Sequence, residues 1–344
     1  MRMFVCGGCG QLVFFDSSRC LRCGAELGFS VERGALLTFE AAGAGLRPLG
    51  ASGGGQRVRR CANGPLTGCN WVVPEGGSAF CRSCSLTRTR PNDADPEGLR
   101  AFAETEAAKR RLVYQLLSLG LPVEPRSETP DGLAFDLLWS AAAEVVTGHR
   151  DGVVTIDVSE TDDARRERLR VELSEPYRTM LGHLRHEVGH YYWWKLVSEE
   201  TIGAFRALFG DEWDDYETSL ERHYALGPPA DWQQRHVSAY AAMHPHEDWS
   251  ETFAHYLHIH DVLETAAAAG LVLTGSDDAR QLAARPADAL AAGDFDSLMD
   301  AWIPLSLGLN AVTQAMGKRE LYPFVLAPAA MEKLRFVHDR IAEV

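Results

Sequence analysis

From Glu97 onward, apolar residues recur mostly at helical spacing, three or four positions apart. Glu97–Leu119 is predicted as a helix, because its periodic run ends at Gly120 with Pro122 just beyond. Glu144–Thr147 and Val153–Val158 alternate instead, which predicts two strands around the turn His149-Arg150-Asp151-Gly152. Glu175–Ser198 predicts a long helix, with Pro176 suited to its first turn. Ser198–Phe209 and Asp211–Tyr224 predict two further helices divided by Gly210, and Gly227-Pro228-Pro229 breaks the chain. His246–Thr265 predicts another long helix, and the tail from Ala279 predicts three or four shorter ones, apolar on one side.

The chain before Glu97 reads differently. Arg90-Pro91 and the polar run Asn92-Asp93-Ala94-Asp95-Pro96 form a linker, and Ala41 to Gly55, rich in Gly, Ala and Ser, predicts a flexible stretch. Three segments result: residues 1–35, 36–92 and 97–344. All eight cysteines lie between positions 6 and 84, four in each of the first two segments. With 46% hydrophobic and 24% charged residues among 344, the composition is that of an ordinary globular protein. Met1-Arg2-Met3-Phe4-Val5 leads straight into a cysteine pair, with no apolar core of signal-peptide length and no membrane-spanning run. The expectation is a cytoplasmic protein with no membrane partner, in which cysteines serve metals rather than disulfides.

Charge is unevenly divided. Residues 1–92 carry 11 Arg and no Lys against 5 acids, a balance of +6, so the net −14 of the chain leaves −20 on the remainder. The acidic bulk argues against tight nucleic-acid binding over most of the surface. The basic front, with Arg57-Val58-Arg59-Arg60, can bind an anionic partner such as nucleic acid, but docking on its own acidic neighbour is the favoured reading.

Cys6-Gly7-Gly8-Cys9 and Cys20-Leu21-Arg22-Cys23 form C-x2-C-x10-C-x2-C. Each turn presents two thiolates to one metal, two such turns complete a tetrahedron, and Gly10 and Gly24 suit the tight knuckles. The second quartet, Cys61, Cys69, Cys81 and Cys84, is looser, since only its last two members form a C-x-x-C pair. Asn63, Gly64 and Gly68 permit an elaborated knuckle between the first two. Both sites are closed and therefore structural, and metal supplies much of the folding energy of modules this small.

His186-Glu187-Val188-Gly189-His190 is an HExxH motif inside a predicted helix. Positions i and i+4 lie on one face, so both imidazoles can reach a single zinc, and Glu187 sits beside them as a general base. Tyr191-Tyr192-Trp193-Trp194 is read as packing the helix into its domain. Two histidines leave an open site that needs a third protein ligand. Glu247 and Glu251 share a helix face; one can bind the metal while the other hydrogen-bonds a ligand histidine. His183 is read as an outer or surface residue, and His255 as near enough to touch the site.

Glu247-Asp248-Trp249-Ser250-Glu251-Thr252-Phe253-Ala254, downstream of HExxH, resembles the E-x-x-S-[DE]-x-F-[GA] pattern of the gluzincin metallopeptidases, of which thermolysin is a member. The resemblance implies Glu247 as third zinc ligand and Glu251 as the outer carboxylate, with Glu251 the alternative ligand. Val237-Ser238-Ala239-Tyr240-Ala241 is similar to the anthrax lethal factor type, which implies that Tyr240 stabilises the oxyanion. Nearly the whole chain, from the CxxC pairs through Cys81-Arg82-Ser83-Cys84 to His183 and Glu247-Asp248-Trp249, resembles a bacterial family of zinc-binding metallopeptidases with an N-terminal zinc ribbon. The 56 residues between His190 and Glu247 exceed the thermolysin spacing and leave an insertion, Glu199 to Gln234, whose helices can shape the cleft.

The expected fold is α+β: a mainly helical, zincin-like metallopeptidase domain preceded by two small zinc-ribbon-like modules. The expected function is zinc-dependent hydrolysis of a peptide or protein substrate, with one catalytic and two structural zinc ions. The strand at Val153–Val158 is expected to be an edge to which a substrate peptide adds. The alternatives are a zinc-ribbon module that binds nucleic acid or protein with a protease attached, and a non-catalytic zinc scaffold.

Overall fold

The structure, a computed structural model, describes residues 2–42, 45–49, 57–140, 145–162, 179–275 and 282–344. It divides into two compact units, one holding the chain up to Ser118 together with Pro122–Asp162, the other Leu119–Leu121 and the chain after Asp162. The fold is a mixture of helix and sheet. Among the described residues, no helix is long and apolar enough to cross a membrane.

In the first unit a two-stranded ribbon, β1 (Phe4–Val5) with β2 (Leu12–Val13), carries the first cysteine turn. An antiparallel sheet then runs in chain order through β3 (Glu26–Ser30), β4 (Ala35–Ala42), β5 (Gly45–Pro48), β6 (Val58–Arg60) and β7 (Val72–Pro74). The division expected between residues 35 and 36 therefore falls inside a hairpin, since β3 pairs with β4 from Glu26↔Phe39 to Ser30↔Ala35. Nor are the two quartets separate modules. Phe15, Phe29, Trp71 and Tyr114 close one shared aromatic core, with ring centroids 4.8 Å apart for Phe29–Trp71 and 5.0 Å for Phe15–Tyr114. Neither cysteine segment has enough apolar surface to fold on its own, so the two pool theirs. The stretch Ala41 to Gly55, expected to be flexible, holds the end of β4 and all of β5; residues 43–44 and 50–56 lie outside the described ones.

Short helices α1 (Gly64–Thr67) and α2 (Arg82–Ser85) flank the second quartet, and α3 (Pro96–Ser118) follows the linker. A second sheet has the order β10-β11-β9-β8, made by β8 (Thr87–Thr89), β9 (Ala134–Leu138), β10 (Gly148–Arg150) and β11 (Val153–Asp157). The expected hairpin forms, but its turn is Asp151-Gly152 with φ of 50° and 78°, and its first strand sits later than Glu144–Thr147. Glu144 itself lies outside the described residues. Val153–Asp157 is not an edge. It pairs antiparallel with β10 and, along its whole length, parallel with β9. Helix α3 and strands β9 to β11 belong to the first unit, although the sequence placed them with the catalytic segment.

The second unit is helical: α4 (Met180–Leu196), α5 (Ile202–Phe209), α6 (Tyr216–Leu226), α7 (Pro245–Ala268), α8 (Pro286–Ala292), α9 (Phe295–Ala315) and α10 (Pro328–Ala342). The expected start of the motif helix, with Pro176, lies outside the described residues; α4 is capped by Thr179, whose hydroxyl accepts from the Gly182 amide at 3.0 Å. Asp215 caps α6 in the same way, which explains why that helix begins at Tyr216 rather than Asp211. Helices α4 and α7 run antiparallel. Arg185 meets Asp261 at 2.7 Å, Gly189 lies against Ser250, and Trp193 lies against His246 at 4.7 Å between ring centroids. A Cβ on Gly189 would lie 2.9 Å from Ser250 Cα, so glycine there lets the two backbones touch. Trp249, fully buried, donates its indole N–H to the Gly189 carbonyl at 2.9 Å. Each large apolar side chain buried in this seam contributes about 2–3 kcal/mol. Of the aromatic run after the motif, Tyr191, Tyr192 and Trp193 are buried as expected, whereas Trp194 is 67% exposed.

Candidate metal centre

Among the described residues, three groups of side chains converge so that within each the ligand atoms lie within 4.8 Å of one another: Cys6, Cys9, Cys20 and Cys23; Cys61, Cys69, Cys81 and Cys84; and His186, His190 and Glu247. In the first quartet the Cys6–Cys23 and Cys9–Cys20 sulfurs are 3.7 and 3.6 Å apart, and in the second Cys69 and Cys81 are 3.7 Å apart. These spans are far beyond a disulfide bond. A tetrahedron with zinc–sulfur bonds of about 2.3 Å has edges of about 3.8 Å, so both quartets fit structural zinc. The knuckles turn as the sequence implied, with Gly10 and Gly24 donating to the Cys6 and Cys20 carbonyls at 2.9 and 2.8 Å and φ of 73° and 74°. Donors also point at the sulfurs: the Cys81 amide reaches Cys61 at 3.3 Å and the Asn63 amide group reaches Cys84 at 3.5 Å. Such bonds offset the negative charge that four thiolates bring together.

The third group is built across the α4–α7 seam. His186 and His190 stand one turn apart on α4, their rings 5.1 Å between centroids. Glu247 sits in the first turn of α7, which His244 caps by accepting from the His246 amide at 3.1 Å. Glu247 Oε2 lies 3.0 Å from His186 Nε2, and Oε1 lies 3.5 Å from His190 Nε2. A tetrahedral site with bonds of about 2.0–2.1 Å has edges of about 3.4 Å, which these spans bracket. On the other side of the same ring, His186 Nδ1 is 2.7 Å from Glu251 Oε1. A carboxylate can only accept, so Nδ1 carries the proton and the Nε2 lone pair of a neutral ring faces Glu247. Two acceptors that close need a cation between them, either a proton or a metal ion.

The electrostatics say the same. Burial alone would push the His186 imidazole down, but the Glu247 and Glu251 carboxylates outweigh it and hold its pKa well above the ordinary histidine value. Burial would raise Glu247, but the His190 and His186 rings drive it well below the usual carboxylate range. Glu187, also buried, is held low by His183, whose Nε2 is 3.3 Å from Oε1, and by the two motif histidines. Its Oε2 has no hydrogen-bond partner among the described residues. A buried carboxylate oxygen left open in this way is available to a water or a substrate proton.

A model of a family described as "Putative zinc-binding metallo-peptidase" matches residues 98–340, and a zinc-ribbon domain model matches residues 3–95. The chain belongs to that metallopeptidase family. Uncharacterized proteins of Mycobacterium tuberculosis and Mycobacterium bovis are 49% identical to it over 350 residues, spanning 100% of this chain and 96% of their own. No solved structure matches it.

In this metallopeptidase the residues singled out from sequence fall into place unequally. Glu247, not Glu251, joins the two histidines, while Glu251 bonds the far side of His186 and accepts from Ser238 Oγ at 2.5 Å. The Tyr240 ring stands 6.0 Å from that of His186. His255 turns away, its Nδ1 2.6 Å from the Tyr322 hydroxyl. Two residues escaped the sequence. Ser238 lies inside the Val237–Ala241 phrase that had drawn attention only to its tyrosine. Tyr216, in the insertion, donates to Glu247 Oε1 at 3.0 Å, and nothing in its local sequence marks it.

Proposed function

We propose that this protein is a zinc-dependent peptidase of the gluzincin type, with His186, His190 and Glu247 as the catalytic zinc ligands and Glu187 as general base. The observation that carries this is the set of facing acceptors: two imidazole nitrogens and a buried carboxylate at 3.0 and 3.5 Å, with Glu251 fixing the tautomer of His186 from behind. A zinc ion held there supplies a Lewis acid and makes its bound water acidic near neutral pH. Glu187 is ionised and keeps Oε2 open, so it can accept the proton of the attacking water and hand it to the leaving amine. Tyr240 remains protonated, because burial and the nearby Glu247 charge push its pKa far up, and it can donate to a developing oxyanion. The cysteine quartets hold structural zinc in the N-terminal unit, and the substrate is a peptide or protein.

Glu187→Gln separates chemistry from folding. The metal-loaded variant should keep its zinc and lose cleavage of a peptide library, which the parent should cleave without chelator and not with it. A variant that cleaves as fast as the parent would overturn the assignment.

A further inference from the structure

Glu247 is almost completely buried, and a buried carboxylate needs donors for the lone pairs a metal does not take. Among the described residues Tyr216 supplies one, its hydroxyl donating to Oε1 at 3.0 Å. Tyr216 belongs to the insertion between the motif helix and α7, and that insertion is pinned where it meets Glu247. His244 is the pin. Its Nδ1 accepts from the His246 amide at 3.1 Å, so its Nε2 carries the proton and donates to the Asp214 carbonyl at 2.9 Å. The Tyr216 ring then packs edge-on against the His244 ring at 5.2 Å. Just upstream, Arg206 grips Glu212 with a two-pronged bond of 2.9 and 2.5 Å, and Asp215 accepts from the Thr218 amide at 2.7 Å.

We infer that Tyr216 is a positioning residue, which orients Glu247 by holding Oε1, the oxygen that faces His190, so that Oε2 is turned toward His186. This rests on the peptidase reading above and adds to it a role for the insertion: part of the affinity for zinc is built outside the HExxH and Glu247 helices. The pinned backbone from Glu212 to Tyr216 fixes where the hydroxyl sits, so the donor is in place before any metal binds. Groups that hydrogen-bond a metal ligand change metal affinity by about 10–100-fold when removed.

The test is zinc affinity of the full-length protein by chelator competition, read for parent, Tyr216→Phe and the double variant His186→Ala/His190→Ala. The expected result is that the parent binds one zinc that the double variant does not, and that Tyr216→Phe weakens that zinc by about 10–100-fold while its near-ultraviolet circular dichroism is unchanged. Co2+ in the same site should show an altered visible spectrum in Tyr216→Phe, which a packing role alone would not produce. Parental affinity and cobalt spectrum in Tyr216→Phe would overturn the inference and leave the peptidase reading intact. A loss of the near-ultraviolet signal would make Tyr216 a structural residue and overturn it as well. No zinc lost in the double variant would refute the peptidase reading itself, and the role of Tyr216 with it.

Discussion

Replacing Gly189 with alanine tests whether the metal centre depends on backbone contact between α4 and α7. An added Cβ would stand 2.9 Å from Ser250 Cα and 3.2 Å from both Ser250 Cβ and its carbonyl oxygen. Carbon atoms rest at about 3.5–4.0 Å, so the helices must part by roughly 0.6–1 Å. Overpacking of this kind costs about 1–3 kcal/mol. Alanine's better helix propensity returns about 1 kcal/mol. The net expectation is a loss of up to about 2 kcal/mol, which in a unit of this size lowers Tm by up to roughly 8 °C. Function should suffer more than stability. The spans of 3.0 and 3.5 Å from Glu247 to the two histidines cross this very seam. A misplacement near 1 Å can cost about 100-fold in rate. The assay is a thermal melt with and without added zinc, beside kcat/KM on a peptide that the parent cleaves. Propensity alone dictates the opposite sign, so a Gly189→Ala protein that melts higher and cleaves as well as the parent would refute the close-contact argument.

Three further outcomes follow from the same structure. Glu251→Gln removes the charge behind His186 Nδ1 and should weaken the third zinc by about 10–100-fold, measured by chelator competition, while leaving the cysteine-bound zinc alone; unchanged affinity would leave Glu251 without a role at the metal. Buried His255 is held neutral, its pKa pushed by burial from 6.5 down to about 4. Because the folded value lies below the unfolded one, its contribution is complete above pH 6.5 and is lost as pH falls toward 4, amounting to roughly 3 kcal/mol at most. Denaturant unfolding of the parent should therefore lose that much more than His255→Gln between pH 7 and pH 4, and parallel curves would contradict it. In the first unit, Lys109 is fully buried with its ammonium 2.5 Å from Glu106, whose other oxygen is 3.7 Å from Cys84 Sγ. Lys109→Met should cost about 3–5 kcal/mol and Glu106→Gln/Lys109→Met much less; equal losses would show that the pair does not act as a unit.

The residues of the candidate metal centre were more legible in the sequence than the fold around them, and for a physical reason. His186 and His190, like Glu247 and Glu251, are related by a single helical turn, so spacing alone says that each pair shares a face. Their helices could be read from apolar period and from local punctuation such as Gly210 and Gly227. What joins α4 to α7 is one glycine, Gly189, whose need for close approach appears only when Ser250 is beside it. Strand β9 is short and almost wholly apolar, and its parallel partners β8 and β11 lie on either side of it far along the chain, so no local pattern announces it. That missing strand is why Val153–Asp157 reads as an edge in sequence and is an inner strand in the structure. The shared core of the two cysteine quartets was hidden in the same way, since Phe15, Trp71 and Tyr114 come together only in three dimensions. Ser238 and Tyr216 each reach a site carboxylate, Glu251 and Glu247, through one hydrogen bond, and one hydrogen bond leaves no periodicity to read.

A zinc-edge anomalous difference map from crystals of the zinc-loaded protein tests the central claim most directly. The expected map has a peak about 2.0–2.2 Å from His186 Nε2, His190 Nε2 and a Glu247 oxygen, with two more peaks about 2.3 Å from the sulfurs of each cysteine quartet. Density at both quartets and none between the two imidazoles and Glu247 would contradict it.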